Sequence, residues 1–294
     1  MTVDDFLTYL RTERRASAHT TKAYRSDLQQ FVDFLSKNYE LDHPQQASQL
    51  MVREWMAQQI ETGVQSRSIN RKLSALRSFY LYLLRHNDIK SNPVSRIKAM
   101  RTRMRIAEFV PESDIKKIRP LDDSPDFYAL RDSLVMELLY QTGIRQAELI
   151  HIMEKDVDLH SLTIKVTGKR NKQRIIPFHG SLKSLILLYK KSKSEVFGET
   201  DHLIVSTNGK KISPSSVYNI VNRELKKITT LRKTSPHVLR HTFATHLLNN
   251  GAPLVAVKEL LGHSSLASTQ VYTHNTIDQL KKIHQQAHPK GSTQ

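Results

Sequence analysis

Apolar residues recur at helical spacing through the first third of the chain. Phe6, Leu7 and Leu10 share one helical face, and Tyr24, Leu28, Phe31 and Leu35 form a longer stripe. Hydroxyl residues at 17–21 supply caps ahead of that second stripe. A third helix is predicted over 52–61, with Trp55, Met56 and Ile60 inward. A fourth is predicted over 66–85, with Ile69, Leu73, Leu76, Tyr80 and Leu83 as its apolar stripe. The opposite face of this helix carries Arg67, Arg71, Lys72 and Arg77. For a single helix, such a face is explained by solvation alone.

The pattern changes at Asn92-Pro93, since proline disfavours helix in the residue before it. Arg96, Lys98, Arg101, Arg103 and Arg105 follow with few large apolar residues. This stretch reads as a basic linker lying on phosphate, with a short exposed helix as the alternative. A second domain then opens at 111–114. It continues with a strongly apolar helix over 128–140 that Gly143 ends. Strand patterns at 162–166 and 174–178 flank the basic tip Gly168-Lys169-Arg170-Asn171-Lys172, which predicts a β-hairpin. Helices are expected at 182–191 and 215–228, a short strand at 203–206, and helix again from Pro236, punctuated by Gly251 and Gly262. A last helix, 277–287, carries Ile277, Leu280 and Ile283. The expected class is mainly α with a small β-sheet, divided into a helical domain (1–92), a linker (93–108) and an α+β domain (109–294).

Charge narrows the function. Lys and Arg total 45 against 28 Asp and Glu, giving +17 over 294 residues. The excess runs along the chain, through Lys22, Arg53, Arg77, Lys169 and Lys226, and is not confined to a tail. Solubility needs far less charge, so the distribution points to a polyanion, with nucleic acid favoured over a membrane surface. With no cysteine, disulfides, thiolate zinc sites and cysteine nucleophiles are excluded. Acids stand at the N-terminus where a signal peptide needs bases, and no segment reaches membrane-spanning length without charge. The expected location is the cytoplasm, in association with the nucleoid.

Three separated clusters hold the candidate chemistry. In Thr142-Gly143-Ile144-Arg145-Gln146-Ala147-Glu148-Leu149, Arg145 stands at a helix start and Glu148 one turn on, able to hold the guanidinium. Alone this reads as a surface ion pair of little consequence. In Pro236-His237-Val238-Leu239-Arg240-His241, His237 and Arg240 are three apart. The His237/His241 spacing raises zinc, but the metalloprotease pattern needs Glu where Val238 stands, so no metal is assigned. Leu261-Gly262-His263 is followed by Gln270-Val271-Tyr272-Thr273-His274. Two Arg, two His, a loop Lys and a Tyr are what phosphodiester transfer through a tyrosine ester requires. Guanidiniums stabilise charge on nonbridging oxygens, a Lys protonates the leaving oxygen, imidazoles assist proton transfer and the phenol attacks.

Taken in order, these clusters resemble the catalytic motifs of the tyrosine recombinase (phage integrase) family, in its Xer-like branch. The likeness runs from about Phe6 to about Pro289. Arg145 matches the first catalytic Arg and Glu148 the supporting acid. Lys169 matches the hairpin Lys, His237 and Arg240 the His-x-x-Arg box, His263 the next position and Tyr272 the nucleophile. Arg170, often Gly in relatives, is a small departure. Tyr24, Asp27, Leu28 and Phe31, with Lys72-Leu-Ser-Ala-Leu-Arg-Ser-Phe-Tyr80 and Asn92-Pro93, resemble the family's SAM-like core-binding domain.

The resemblance implies site-specific cutting and rejoining of duplex DNA through a 3′-phosphotyrosyl intermediate and a Holliday junction. It implies a tetramer on DNA and no cofactor or metal. A second recombinase or an activating protein is left open, as is the choice between chromosome-dimer resolution and mobile-element integration or inversion. The 277–287 helix is expected on a neighbouring protomer or packed in cis. Residues expected to contact DNA are Arg67, Arg71, Lys72, Arg77, Arg101, Arg103, Arg170 and Lys172. The alternatives are an accessory or regulatory DNA-binding protein with a non-functional site, and a type IB topoisomerase.

Overall fold

The computed structural model describes residues 1–102, 108–118, 126–168, 172–262 and 274–290. The chain divides into two compact units, Met1–Arg105 and Ile106–Gln294.

The first unit is a helical bundle of α1 (Val3–Thr12), α2 (Ala18–Tyr39), α3 (Gln49–Glu61) and α4 (Ser66–Arg85). Side chains start three of these helices by satisfying amide groups that the first turn leaves unpaired. Thr2 and Asp5 form a reciprocal capping box at α1, Ser17 accepts from the Thr20 amide at α2, and Ser48 accepts from the Met51 amide at α3. The core forms where the apolar stripes meet, with Phe6, Leu28, Phe31, Trp55, Leu76, Phe79 and Leu83 almost wholly covered. The Tyr80 hydroxyl, deep in that core, donates to the Pro44 carbonyl at 2.7 Å, as a buried phenol must find a partner. Ile60, expected inward, is half exposed, while Val52 takes the inward position.

Two expectations about this unit change. Lys72 is buried. Its ammonium bonds to Gln30 Oε1 and lies 3.8 Å from the Asp27 carboxylate, so it belongs to the packing and not to a DNA-facing surface. The segment read as linker from Pro93 is at first part of the bundle. Val94 and Ile97 are buried in its core, Arg77 donates to the Ile97 carbonyl, and the Asn70 amide clamps Met100 at both N (2.8 Å) and O (2.9 Å). Arg67 and Arg101 are exposed, and Arg71 is half exposed while bonded to Asp27.

The second unit is built around α6 (Phe127–Thr142), which follows the short α5 (Glu112–Ile115). Thirteen of the sixteen residues of α6 are buried, because α8 (Gly180–Phe197), α9 (Pro214–Ile228) and α10 (Pro236–Asn249) pack around it. A helix rich in apolar residues on every face belongs in such a centre, and its buried Arg131 and Asp132 pair with each other. After the single turn α7 (Gln146–Leu149), three antiparallel strands follow in the order β1 (Val157–Asp158), β2 (Thr163–Thr167) and β3 (Gln173–Pro177). The predicted hairpin is β2–β3, with Ile164 opposite Ile176 and Val166 opposite Arg174. The strand expected at 203–206 is reduced to an isolated bridge between Val205 and Lys211.

Beyond α10 come α11 (Leu254–Leu261), which Gly262 ends at φ 65°, and α12 (His274–Ala287). The last helix packs in cis. Leu280, His284, Ala287 and His288 are buried, His284 Nε2 lies 2.7 Å from the Gln141 carbonyl, and Asn250 donates to the Ala287 carbonyl at 2.9 Å. No helix among the described residues is long and apolar enough to cross a membrane.

Candidate active site

The site begins where α6 stops. Gly143 caps that helix in the left-handed region at φ 59°, and its amide donates to the Leu139 carbonyl. A Cβ at this position would lie 2.3 Å from the Phe243 ring, so glycine is required twice, for its φ and for its size. The turn delivers Arg145 as the N-cap of α7, and Glu148, in its first turn, folds back to accept from the Arg145 amide at 2.8 Å. The same carboxylate accepts from Arg145 Nη1 at 2.8 Å. The local helix start that the sequence suggested thus fixes both the backbone and the guanidinium of Arg145.

Glu148 also has a partner that the sequence reading did not find. Arg174, on β3, donates from Nη1 to Oε1 and from Nη2 to Oε2, each at 2.9 Å. One nearly covered carboxylate, with 4% side-chain exposure, therefore accepts four hydrogen bonds from two arginines. Burial pushes its pKa up, but the Arg174 and Arg145 hydrogen bonds and charges prevail and hold it down at about 2. Gly168 lies against this group, since a Cβ there would be 3.3 Å from Glu148 Oε1.

Arg240 rises from the first turns of α10 and is buried. It donates from Nη1 to the Gly143 carbonyl and from Nη2 to the Leu261 carbonyl at 2.6 Å. Burial lowers its pKa to about 10, with the Arg145 charge acting in the same direction. His237, three residues earlier, is exposed. The C-terminus of α11 collects three guanidiniums on successive carbonyls. Arg174 Nε reaches Leu260 at 2.9 Å, Arg240 reaches Leu261, and Arg145 Nη2 reaches Gly262 at 3.4 Å. Unpaired carbonyls at a helix end attract cations in this way. The result joins residues from α7, β3 and α10 immediately before His263 in the sequence.

A helical N-terminal unit, a hairpin beside an α-helical core and two convergent arginines correspond to one matched family. The Phage integrase family model matches residues 108–279, and the model of its N-terminal SAM-like domain matches residues 3–87. The chain belongs to the tyrosine recombinase (phage integrase) family. It is a site-specific DNA recombinase of the Xer-like kind. It is 36% identical to the tyrosine recombinase XerC of Chlorobaculum parvum, over 98% of this chain and 94% of that protein. It is 37% identical to XerC of Listeria innocua, over 97% of each. Its fold resembles the XerH site-specific recombinase bound to palindromic difH substrate, with a TM-score of 0.72, 20% identity, and coverage of 96% of this chain and 83% of that one.

Within the recombinase, Arg145, Glu148 and Arg240 come together, and His237 stands on the helix that carries Arg240. Lys172 is exposed at the base of the hairpin tip. Lys169, Arg170, His263, Tyr272 and Arg103 lie outside the described residues. A signal for Arg174 was present in the sequence. It shares a pleat face with Ile176 two residues on, so an arginine was pointing where an apolar residue should be, and a buried arginine needs a carboxylate.

Proposed function

We propose that this recombinase cuts and rejoins duplex DNA at a specific site through a 3′-phosphotyrosyl ester on Tyr272. Arg145 and Arg240 hold the nonbridging oxygens of the scissile phosphate and stabilise the charge that builds there. His237 and His263 assist proton transfer at the phosphate. Lys169 protonates the departing 5′-oxygen. The ester conserves the energy of the broken bond, and a 5′-hydroxyl from a second site attacks it to give a Holliday junction that a second exchange resolves. Four protomers hold two sites, and the protein works on chromosomal DNA in the cytoplasm. Exposed Arg67 and Arg101, half-exposed Arg71 and Arg77, and Lys172, Arg103 and Arg170 supply phosphate contacts.

The observation that carries this reading is the convergence of Arg145 and Arg240, 95 residues apart by their numbering, on adjacent carbonyls just ahead of His263. The test is Tyr272→Phe on a nicked suicide substrate. DNA binding should be retained and no covalent adduct should form. An adduct in this variant would assign the nucleophile elsewhere. Relaxation of a plasmid without a specific site by the wild-type protein would favour a topoisomerase.

A further inference from the structure

The surroundings of Glu148 pose a problem in electrostatics. A carboxylate bonded to Arg145 orients that guanidinium, and it also cancels the charge that a phosphate would need from it. Arg174 supplies the missing cation. It is buried, with 7% side-chain exposure, and meets both Glu148 oxygens in the parallel, two-bond geometry available to arginine but not lysine. Its third nitrogen, Nε, is committed to the Leu260 carbonyl. Gly262 packs directly on the same side chain, where a Cβ would meet Arg174 Cδ, Nε and Nη1 at 3.1 Å. Arg174 thus grips the carboxylate under Arg145 with one edge and the end of α11 with the other. It does so from the strand that leads out of the hairpin tip.

We propose that Arg174 is a positioning residue of the recombination site, which compensates the Glu148 charge so that Arg145 remains a net cation toward phosphate and which fixes the end of α11 before His263. The inference rests on the reading of Arg145 as a phosphate ligand. Arg174 acts through these partners, with all three of its nitrogens bonded within the protein. Among the described residues, the charged groups facing Glu148 are Arg145 from its own turn, Arg174 from β3 and Arg240 from α10. With Arg174 gone, burial acts on Glu148 against fewer opposing charges. The carboxyl then takes up a proton at higher pH and loosens its hold on Arg145.

The experiment measures single-turnover cleavage of a suicide substrate at saturating protein, across pH, for wild type, Arg174→Ala, Arg174→Lys, Arg145→Ala and the double variant Glu148→Gln/Arg174→Ala. Arg174→Ala is expected to cleave about 10- to 100-fold more slowly, the scale for a misplaced reacting group. Its rate should fall more steeply on acidification than that of wild type, and the double variant should lose this added acid dependence. The salt slope of DNA binding should match wild type. Should Arg174→Ala fail to fold, Arg174→Lys decides the matter, with slower cleavage and an acid dependence steeper than wild type expected, because an ammonium keeps the charge but not the paired hydrogen bonds to the carboxylate. Wild-type cleavage by the folded variant, a slower rate with no added acid dependence, or a salt slope reduced by about one would each overturn the proposal. Wild-type cleavage by Arg145→Ala would instead overturn the phosphate-clamp reading. A crippled Arg145→Ala beside a normal Arg174→Ala would sink this inference alone.

Discussion

Each unit of the chain has a nearly covered carboxylate between two basic side chains, one covered and one half exposed, and in the pair formed by Asp27 and Glu148 the two sites behave in opposite ways. In the N-terminal unit Asp27 lies between covered Lys72 and half-exposed Arg71, and in the C-terminal unit Glu148 lies between covered Arg174 and half-exposed Arg145. Burial raises the Asp27 pKa above its ordinary value, because among the described residues only Arg71 bonds to its side chain directly and the Lys72 ammonium turns to Gln30. Glu148 receives four hydrogen bonds and is held at about 2. Both carboxylates are nearly covered and each faces two cations. The number of donors that reach the oxygens decides the sign.

The most severe way to break the comparison is to remove the saturated carboxylate. Glu148→Ala leaves Arg174 buried without a carboxylate partner, a loss of roughly 3–5 kcal/mol. Denaturant titration should show it in the transition of the C-terminal unit, and a loss under about 1 kcal/mol would mean that solvent reaches Arg174. Next comes chemistry. Arg145→Ala and Arg240→Ala should each slow cleavage by roughly 10²-fold or more, the scale for one lost stabiliser of transition-state charge. No substitution in the Asp27 group should do so at saturating protein, and suicide-substrate rates compare the two sites directly.

The opposed pKa shifts predict opposed responses to acid. Glu148 has a folded value below its ordinary 4.5, so its contribution is full above that value and is lost as pH falls toward about 2. Asp27 has a folded value above its ordinary 3.8, so the folded state binds the proton more tightly and stability rises as pH falls through that range. Stability followed from pH 6 to pH 3 should therefore drop less in Glu148→Gln than in wild type, measured against each protein's own neutral value. In Asp27→Asn it should drop more. The same direction in both variants would collapse the distinction. The smallest effect sharpens the surface assignment. Arg67→Ala should lower the salt slope of DNA binding by about one, whereas Lys72→Gln should leave it unchanged while weakening the fold.

Much of this was legible in the sequence because periodicity reports burial. The helices of the first unit, the apolar α6 and the β2–β3 hairpin follow from spacing alone, and Gly143 and Gly262 were visible as stops. Arg145 and Glu148 were legible as a pair because a helix start is a local event. For Arg174 only its place on an inward pleat face was legible, since its partners depend on a fold that brings residue 174 to residue 148 and to a helix end near 260. Lys72 was misjudged for a related reason. Four basic residues on one helix looked like one solvated face, but Asp27 on α2 draws one of them inward, and periodicity does not register a partner on another helix. Ile60 erred the other way, as an apolar residue at the right spacing that stays half exposed.

Gly143 fixes a dimension as well as a turn. The Phe243 ring rests where its side chain would be, on the same helix as Arg240 and three residues further along. The same ring lies near the stacked imidazoles of His284 on α12 and His288 just after it, 6.1 and 5.9 Å away between centroids. The separation between the turn that carries Arg145 and the helix that carries Arg240 is thus filled by an aromatic ring lying between a bare α-carbon and the last helix, beside the bond from Arg240 to the Gly143 carbonyl. A methyl group added at residue 143 is therefore expected to push the Phe243 ring toward those imidazoles and to widen the gap between the two guanidiniums even with every charged residue in place.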